Sequence, residues 1–170
     1  MAEEKEKTLD ELMRLLELQE EILQFTHFTN ADAWELGNMI VAEAKKRGLS
    51  VAVSIRLNNG LTVFQYCFDG KNLTNEDWMR RKHNVVKMTE TSSLYLYTKL
   101  KKTERTMADI FLDENDYANA GGGFPIRVEE VGVIGSILVS GLNHVADHDL
   151  IVKCVAKYLH ADEVPRIREM

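Results

Sequence analysis

Residues 51–68 read VAVSIRLNNGLTVFQYCF, and this stretch decides the fold class. Val51, Val53 and Ile55 alternate with smaller or polar residues, the period of a strand. Asn58-Asn59-Gly60 is a turn signal, and Leu61 to Phe68 supplies the return strand, closed by Asp69-Gly70. A strand followed at once by its partner is a hairpin, and a hairpin makes an antiparallel sheet. The same grammar recurs further on. A strand from about Phe124 to Glu129, a tight turn near Gly132 and a strand from Val133 to Ser140 form a second hairpin.

Working outward, Thr8-Leu9-Asp10-Glu11 is a capping box opening a helix whose apolar positions, Leu12 to Phe25, recur at helical spacing. A second helix starts at Thr29 or Asn30. It stops at Lys45-Lys46-Arg47-Gly48, with cations in the last turn and glycine beyond it. A long helical stretch covers about Asn75 to Leu100, with a weak point at Thr89-Glu90-Thr91-Ser92-Ser93. A short helix begins at Thr106, with Asp109 three residues on. The last helix runs from about Asn143 to Leu159. The order α-α-β-β-α-α-β-β-α predicts an α+β fold: an antiparallel sheet of four or five strands with helices packed on both faces. Only Pro125 and Pro165 occur, with no linker-like tract, so residues 1–170 read as one domain with residues 1–28 as a helical extension.

Composition narrows the function. The net charge of −6 argues against nucleic acid or an anionic membrane as partner. MAEEKEKTLDE has no apolar core, so no secretory signal is read there. No run approaches the roughly 18 apolar residues of a membrane helix. Two cysteines, Cys67 and Cys154, without metal-like spacing fit a reducing, cytoplasmic setting.

Three clusters could carry chemistry. The first is SGLNHVADHDLIV, residues 140–152. His144 and His148 lie one helical turn apart and continue into the apolar stripe Ile151, Val152, Val155 and Leu159, so both face the sheet. They could share a metal, with Asp147 fixing a tautomer, or be a satisfied buried pair. The second is Arg80-Arg81-Lys82-His83. On a helical projection Lys82 falls within the apolar stripe and His83 at its edge. A lysine there must snorkel, pair with an acid or meet an anion. The third is Gly121-Gly122-Gly123-Phe124-Pro125, whose glycines allow positive φ and whose amides could cradle an anion, or which is simply a tight turn.

GGGFPIRVEEVGVIGSILVSGL followed by DHDLIV, together with WMRRKHNVV and the later Ser92-Ser93, resembles the haem-degrading-domain superfamily, HbpS-like or GlcG-like, in its intracellular branch. The resemblance spans roughly residues 30 to 160. It implies a helix-flanked antiparallel sheet assembling into homo-oligomers, with haem or iron binding among extracytoplasmic relatives. The motif residues that carry over are Arg81, Lys82, Gly121, Gly122, Phe124, Pro125, Ser140, Gly141, Asp147 and His148. The branch usually has another basic residue where this chain has His83, and often proline where it has Asn143, which counts against a three-histidine metal site built from His83, His144 and His148.

The sequence therefore predicts a cytoplasmic homo-oligomer that binds a small anionic ligand, haem- or iron-related compounds included. The pocket would lie between Gly121–Pro125, the head of the last helix and the basic helix. Arg81, Lys82, Gly121, Gly122, Gly123, Phe124, Ser140 and Gly141 would line it, with Asp147 orienting His148. Two alternatives stand beside this. One is a lyase, isomerase or metal-assisted enzyme with His148 as acid/base and Asp147 as its helper. The other is an assembly serving protein partners. No cofactor can be named from the residues.

Overall fold

The computed structural model describes residues 7–170. Its elements follow the expected order: α1 (Leu9–Ile22), α2 (Asn30–Lys46), β1 (Ala52–Leu57), β2 (Thr62–Cys67), α3 (Leu73–Thr89), α4 (Ser93–Thr103), a short 3-10 turn (Ala108–Ile110), β3 (Gly123–Val128), β4 (Gly132–Ser140) and α5 (His144–Tyr158).

The local signals act as read. Thr8 and Glu11 exchange side-chain and backbone hydrogen bonds at the head of α1. Thr29 and Asp32 do the same for α2, and Thr106 and Asp109 frame the 3-10 turn. The long helical stretch does break: Glu90, at φ 57°, ends α3, and Ser92 caps α4 through Tyr95 N.

The two hairpins join through their inner strands to give one antiparallel sheet, in the order β2-β1-β4-β3. β1 and β4 are therefore central and covered on both faces. On one face Val53, Ile55, Phe64, Phe124, Ile126, Ile137 and Val139 meet Leu36, Ile40, Leu150, Ile151 and Val155 of α2 and α5 in the main apolar core. Gly37 makes this contact close, since a Cβ there would lie 2.4 Å from the Phe64 ring. The other face carries α3. α1 lies over α4 and forms a separate apolar cluster with Leu12, Leu16, Leu94, Val145 and Ile167. Phe25 then joins the chain to the sheet edge, donating from its N–H to Arg127 O and accepting from Glu129 N–H.

Candidate functional site: a polar layer beneath α3

β1 and β4 pair Ala52 with Ser140, Ser54 with Leu138 and Arg56 with Ser136. These six side chains face α3, and only Ala52, Leu138 and Met79 form an apolar cluster there. The rest of the layer is polar and buried: Ser54, Arg56, Lys82, His83, Ser136 and Ser140. Burying such groups costs several kcal/mol unless each finds a partner, and the layer supplies partners in three groups.

At the β2 edge, Arg56 donates to Ser54 Oγ at 3.0 Å and to both carboxylate oxygens of Glu76, at 2.7 and 2.8 Å. Gln65 closes the ring with a bond to Glu76 at 3.0 Å. In the middle, His83 Nδ1 and Ser136 Oγ share a hydrogen bond. Burial, helped by the nearby cations of Arg56 and Lys87, pulls the His83 imidazole down to about 4, so it is neutral at pH 7.

At the third position Lys82 donates to Val139 O at 2.8 Å and to Asp147 Oδ2 at 3.2 Å. Asp147 Oδ1 in turn accepts from Leu142 N–H at 2.9 Å, and the Gly141 amide also points to this carboxylate. Burial pushes Asp147 up to about 6 in spite of the ammonium beside it, and pulls Lys82 below its ordinary range. Gly122, at φ 113°, fits against this pair because it lacks a side chain; a Cβ would lie 2.6 Å from both Lys82 Nζ and Val139 O. Just outside, Asn75 donates to Ser140 Oγ at 3.3 Å, and Lys71 Nζ lies beside Gly141, an exposed residue at φ 141°.

The structure thus gathers Lys82, Gly122, Ser140, Gly141 and Asp147, with Gly123 packed on the Lys82 backbone, and turns the other expected residues to different partners. Arg81 faces away, bonded to Asp77 at 2.9 Å with its guanidinium 4.0 Å over the Trp78 ring. The expected anion cradle of loop amides is not formed: Gly121 N–H donates to His144 Nδ1 at 2.9 Å and Gly123 N–H to Ser93 Oγ at 2.9 Å. Phe124 is buried edge-on to His148.

The expected Asp147–His148 partnership is also replaced. Asp147 turns to Lys82, and His148 Nε2 meets Gln19 Oε1 of α1 at 2.8 Å. His148 is fully buried, and burial pulls it down to about 4. His83, His144 and His148 each bond to a different partner, Ser136, Gly121 and Gln19, and among the described residues no three His, Cys, Asp or Glu side chains gather as metal ligands. Sequence reasoning missed Ser54, Arg56, Glu76 and Ser136, because polar residues alternating along a strand read as a solvent face. It also missed Gln19.

Two surface clefts lie elsewhere. One, of about 490 Å³, lies between Phe25, His27, Asp32 and Tyr158; the other, of about 420 Å³, runs along α1. The polar layer is packed, with Arg56, Lys82, His83, Ser136 and Ser140 each at most 8% exposed, so a porphyrin cannot enter it unless α3 moves. The residues present do not fit haem as a group held inside this layer.

No helix among the described residues is long and apolar enough to cross a membrane. Residues 28–156 match the family model described as haem degrading protein HbpS-like. The UPF0303 protein YE1367 of Yersinia enterocolitica is 40% identical over 139 residues, covering 81% of this chain and 82% of the relative. A UPF0303 protein of Yersinia pseudotuberculosis is 39% identical over 138 residues, covering 81% and 80%. Among solved structures, the Ybr137w protein superposes with a TM-score of 0.81 at 28% identity, covering 92% of this chain and 91% of that one. HbpS superposes at 0.62 with 23% identity, covering 80% and 92%, and so shares the fold. The family match spans the sheet, α2 to α4 and all but the last two residues of α5, and the chain belongs to the HbpS-like haem-degrading family.

Proposed function

We propose that this protein is a cytoplasmic, homo-oligomeric binding protein for a small anion, taken up at the Ser140–Gly141 turn and held between Lys71 and Lys82. The observation that carries this reading is Lys82, a residue 2% exposed whose ammonium is countered by a carboxylate that burial has moved up to about 6. Such a pair is a costly way to stabilise a fold, since apolar residues of similar volume usually do as well or better. It is an effective way to hold a cation ready for exchange. When Asp147 takes a proton, Lys82 loses its counterion, and an incoming anion replaces it. Asn75, Ser140 and Lys71 supply the remaining donors at the mouth.

Self-association is supported by β2, an edge strand flanked by the exposed apolar side chains of Trp34, Leu61 and Tyr66. The solved PduOC:heme complex superposes at a TM-score of 0.63 with 16% identity, and hemin is therefore included as a comparator. Titration calorimetry with inorganic phosphate, succinate and hemin tests the proposal, with light scattering for the subunit number. The reading expects anion affinity to rise as pH falls through about 6. It expects Lys71→Met, a change at a half-buried residue, to weaken binding at least tenfold, and Lys82→Met to remove the pH dependence. Anion binding that ignores both substitutions, or a monomer, would overturn it.

A further inference from the structure

α1 lies before the family-matched region, and it seals one of that region's own residues. Gln19 is wholly buried. Its amide oxygen meets His148 Nε2 at 2.8 Å, and its amide nitrogen donates to Pro165 O at 2.8 Å. His148 Nδ1 is buried with no hydrogen-bond partner, so the ring's one hydrogen bond comes from α1. The next residue, Glu20, is also buried, against the backbone and hydroxyl of Ser92. A helix retained only for stability would place apolar side chains at these two positions. α1 instead joins the molecule through its own small cluster, separate from the main core. Leu23, wholly buried in the main core, and Phe25, bonded to the sheet edge, anchor the chain just past its end, so both would stay in place if α1 lifted from its own cluster. The C-terminal segment stays behind, clamped by Arg166 to both oxygens of Asp149 at 2.8 and 2.6 Å.

We propose that α1 is a hinged cover over His148, with Gln19 as its latch, and that ionisation of Glu20 releases it. This inference is independent of the anion site beneath α3. An open cover presents a neutral imidazole beside Phe124, with one donor and one acceptor nitrogen, which is what an acid/base role for His148 would require.

The charge surroundings support the direction. Burial raises Glu20 to about 7; Arg127 on β3 is the facing cation, Glu17 on α1 adds repulsion, and Tyr95 on α4 is the other titratable neighbour. A carboxyl raised on docking favours the closed state at low pH, and that preference is lost as pH rises through about 7. In the closed state His148 itself, pulled by burial to about 4, with Asp149 and His144 as its charged or titratable neighbours, is neutral throughout this range.

Diethyl pyrocarbonate labelling of the full chain, read at His148 by peptide mass spectrometry at pH 6 and pH 8, tests the inference. The labelling rate of the natural protein relative to Glu20→Gln, measured at each pH, should rise about tenfold between the two. Gln19→Ala should label faster than the natural protein at both. His148 labelling that is indifferent to Gln19→Ala, or a natural-to-Glu20→Gln ratio that does not change with pH, overturns the proposal. Glu20→Gln removes only a charge, so its reading does not depend on tolerance of a disruptive change.

Discussion

Lys82 and Asp147, 65 residues apart in sequence, form an ion pair at 3.2 Å in which each side chain is 3% exposed. Removing one partner leaves the other buried and unmatched. Lys82→Met should cost about 3–5 kcal/mol in urea unfolding. The double change Lys82→Met with Asp147→Leu should recover a large part of that loss, because it removes both charges. A double variant as unstable as the single one would show that the pair's packing, not its charge, is what matters.

Gly122 is the second test of this corner. Gly122→Ala forces a side chain into positive φ and against Lys82 Nζ and Val139 O, both 2.6 Å from the new Cβ. The two effects together should cost about 2–4 kcal/mol and weaken anion binding in parallel. Gly132, which also has positive φ but no neighbour within 4 Å of an added Cβ, serves as the control: Gly132→Ala should lose only the conformational part.

His83 sets a pH dependence. Its imidazole titrates near 4 in the folded chain and near 6.5 when unfolded. A depressed folded value gives stability that is present above about 6.5 and is lost as pH falls through about 4. Asp147 and Glu20 are raised, so their contributions run the opposite way in this range. The clean readout is therefore a difference. Between pH 7 and pH 4, His83→Asn should lose on the order of 1–3 kcal/mol less than the natural protein. Equal losses in both proteins would remove His83 from the account.

Gly37 in α2 tests how the apolar face closes. Alanine favours a helix interior over glycine by about 1 kcal/mol, yet here its methyl would meet the Phe64 ring at 2.4 Å. Gly37→Ala should destabilise the protein and shift Phe64 and its edge contact with Trp34, visible as a change in tryptophan fluorescence. A stabilised variant would mean that β2 yields freely.

Much of the fold is written locally. Asn58-Asn59-Gly60, the Thr8 and Thr29 caps and the weak run from Thr89 to Ser93 each fix a boundary through a few neighbouring residues, and each acts as its residues indicate. The helical projection also placed Lys82 inward correctly. What could not be read was partnership. Asp147 sits one residue from His148 and 65 from Lys82, yet bonds to the distant group. Ser54, Arg56 and Ser136 alternate as a solvent-facing row would, and become interior only because α3 returns across that face. Gln19 lies in a polar run of α1, and its bond to His148 depends on docking across 129 residues. Periodicity reports which way a side chain points, and tertiary packing decides what it meets.

The proposed exchange of Asp147 for an anion at Lys82 would appear directly as proton uptake. Sulfate, which does not itself titrate near pH 6, is added to the protein at pH 6 in buffers of different ionisation enthalpy, and the slope of heat against that enthalpy counts protons. With Asp147 near 6, about half a proton per subunit should be taken up on binding, and none in Asp147→Asn. Binding with no proton uptake in the natural protein, or with equal uptake in Asp147→Asn, would contradict the account.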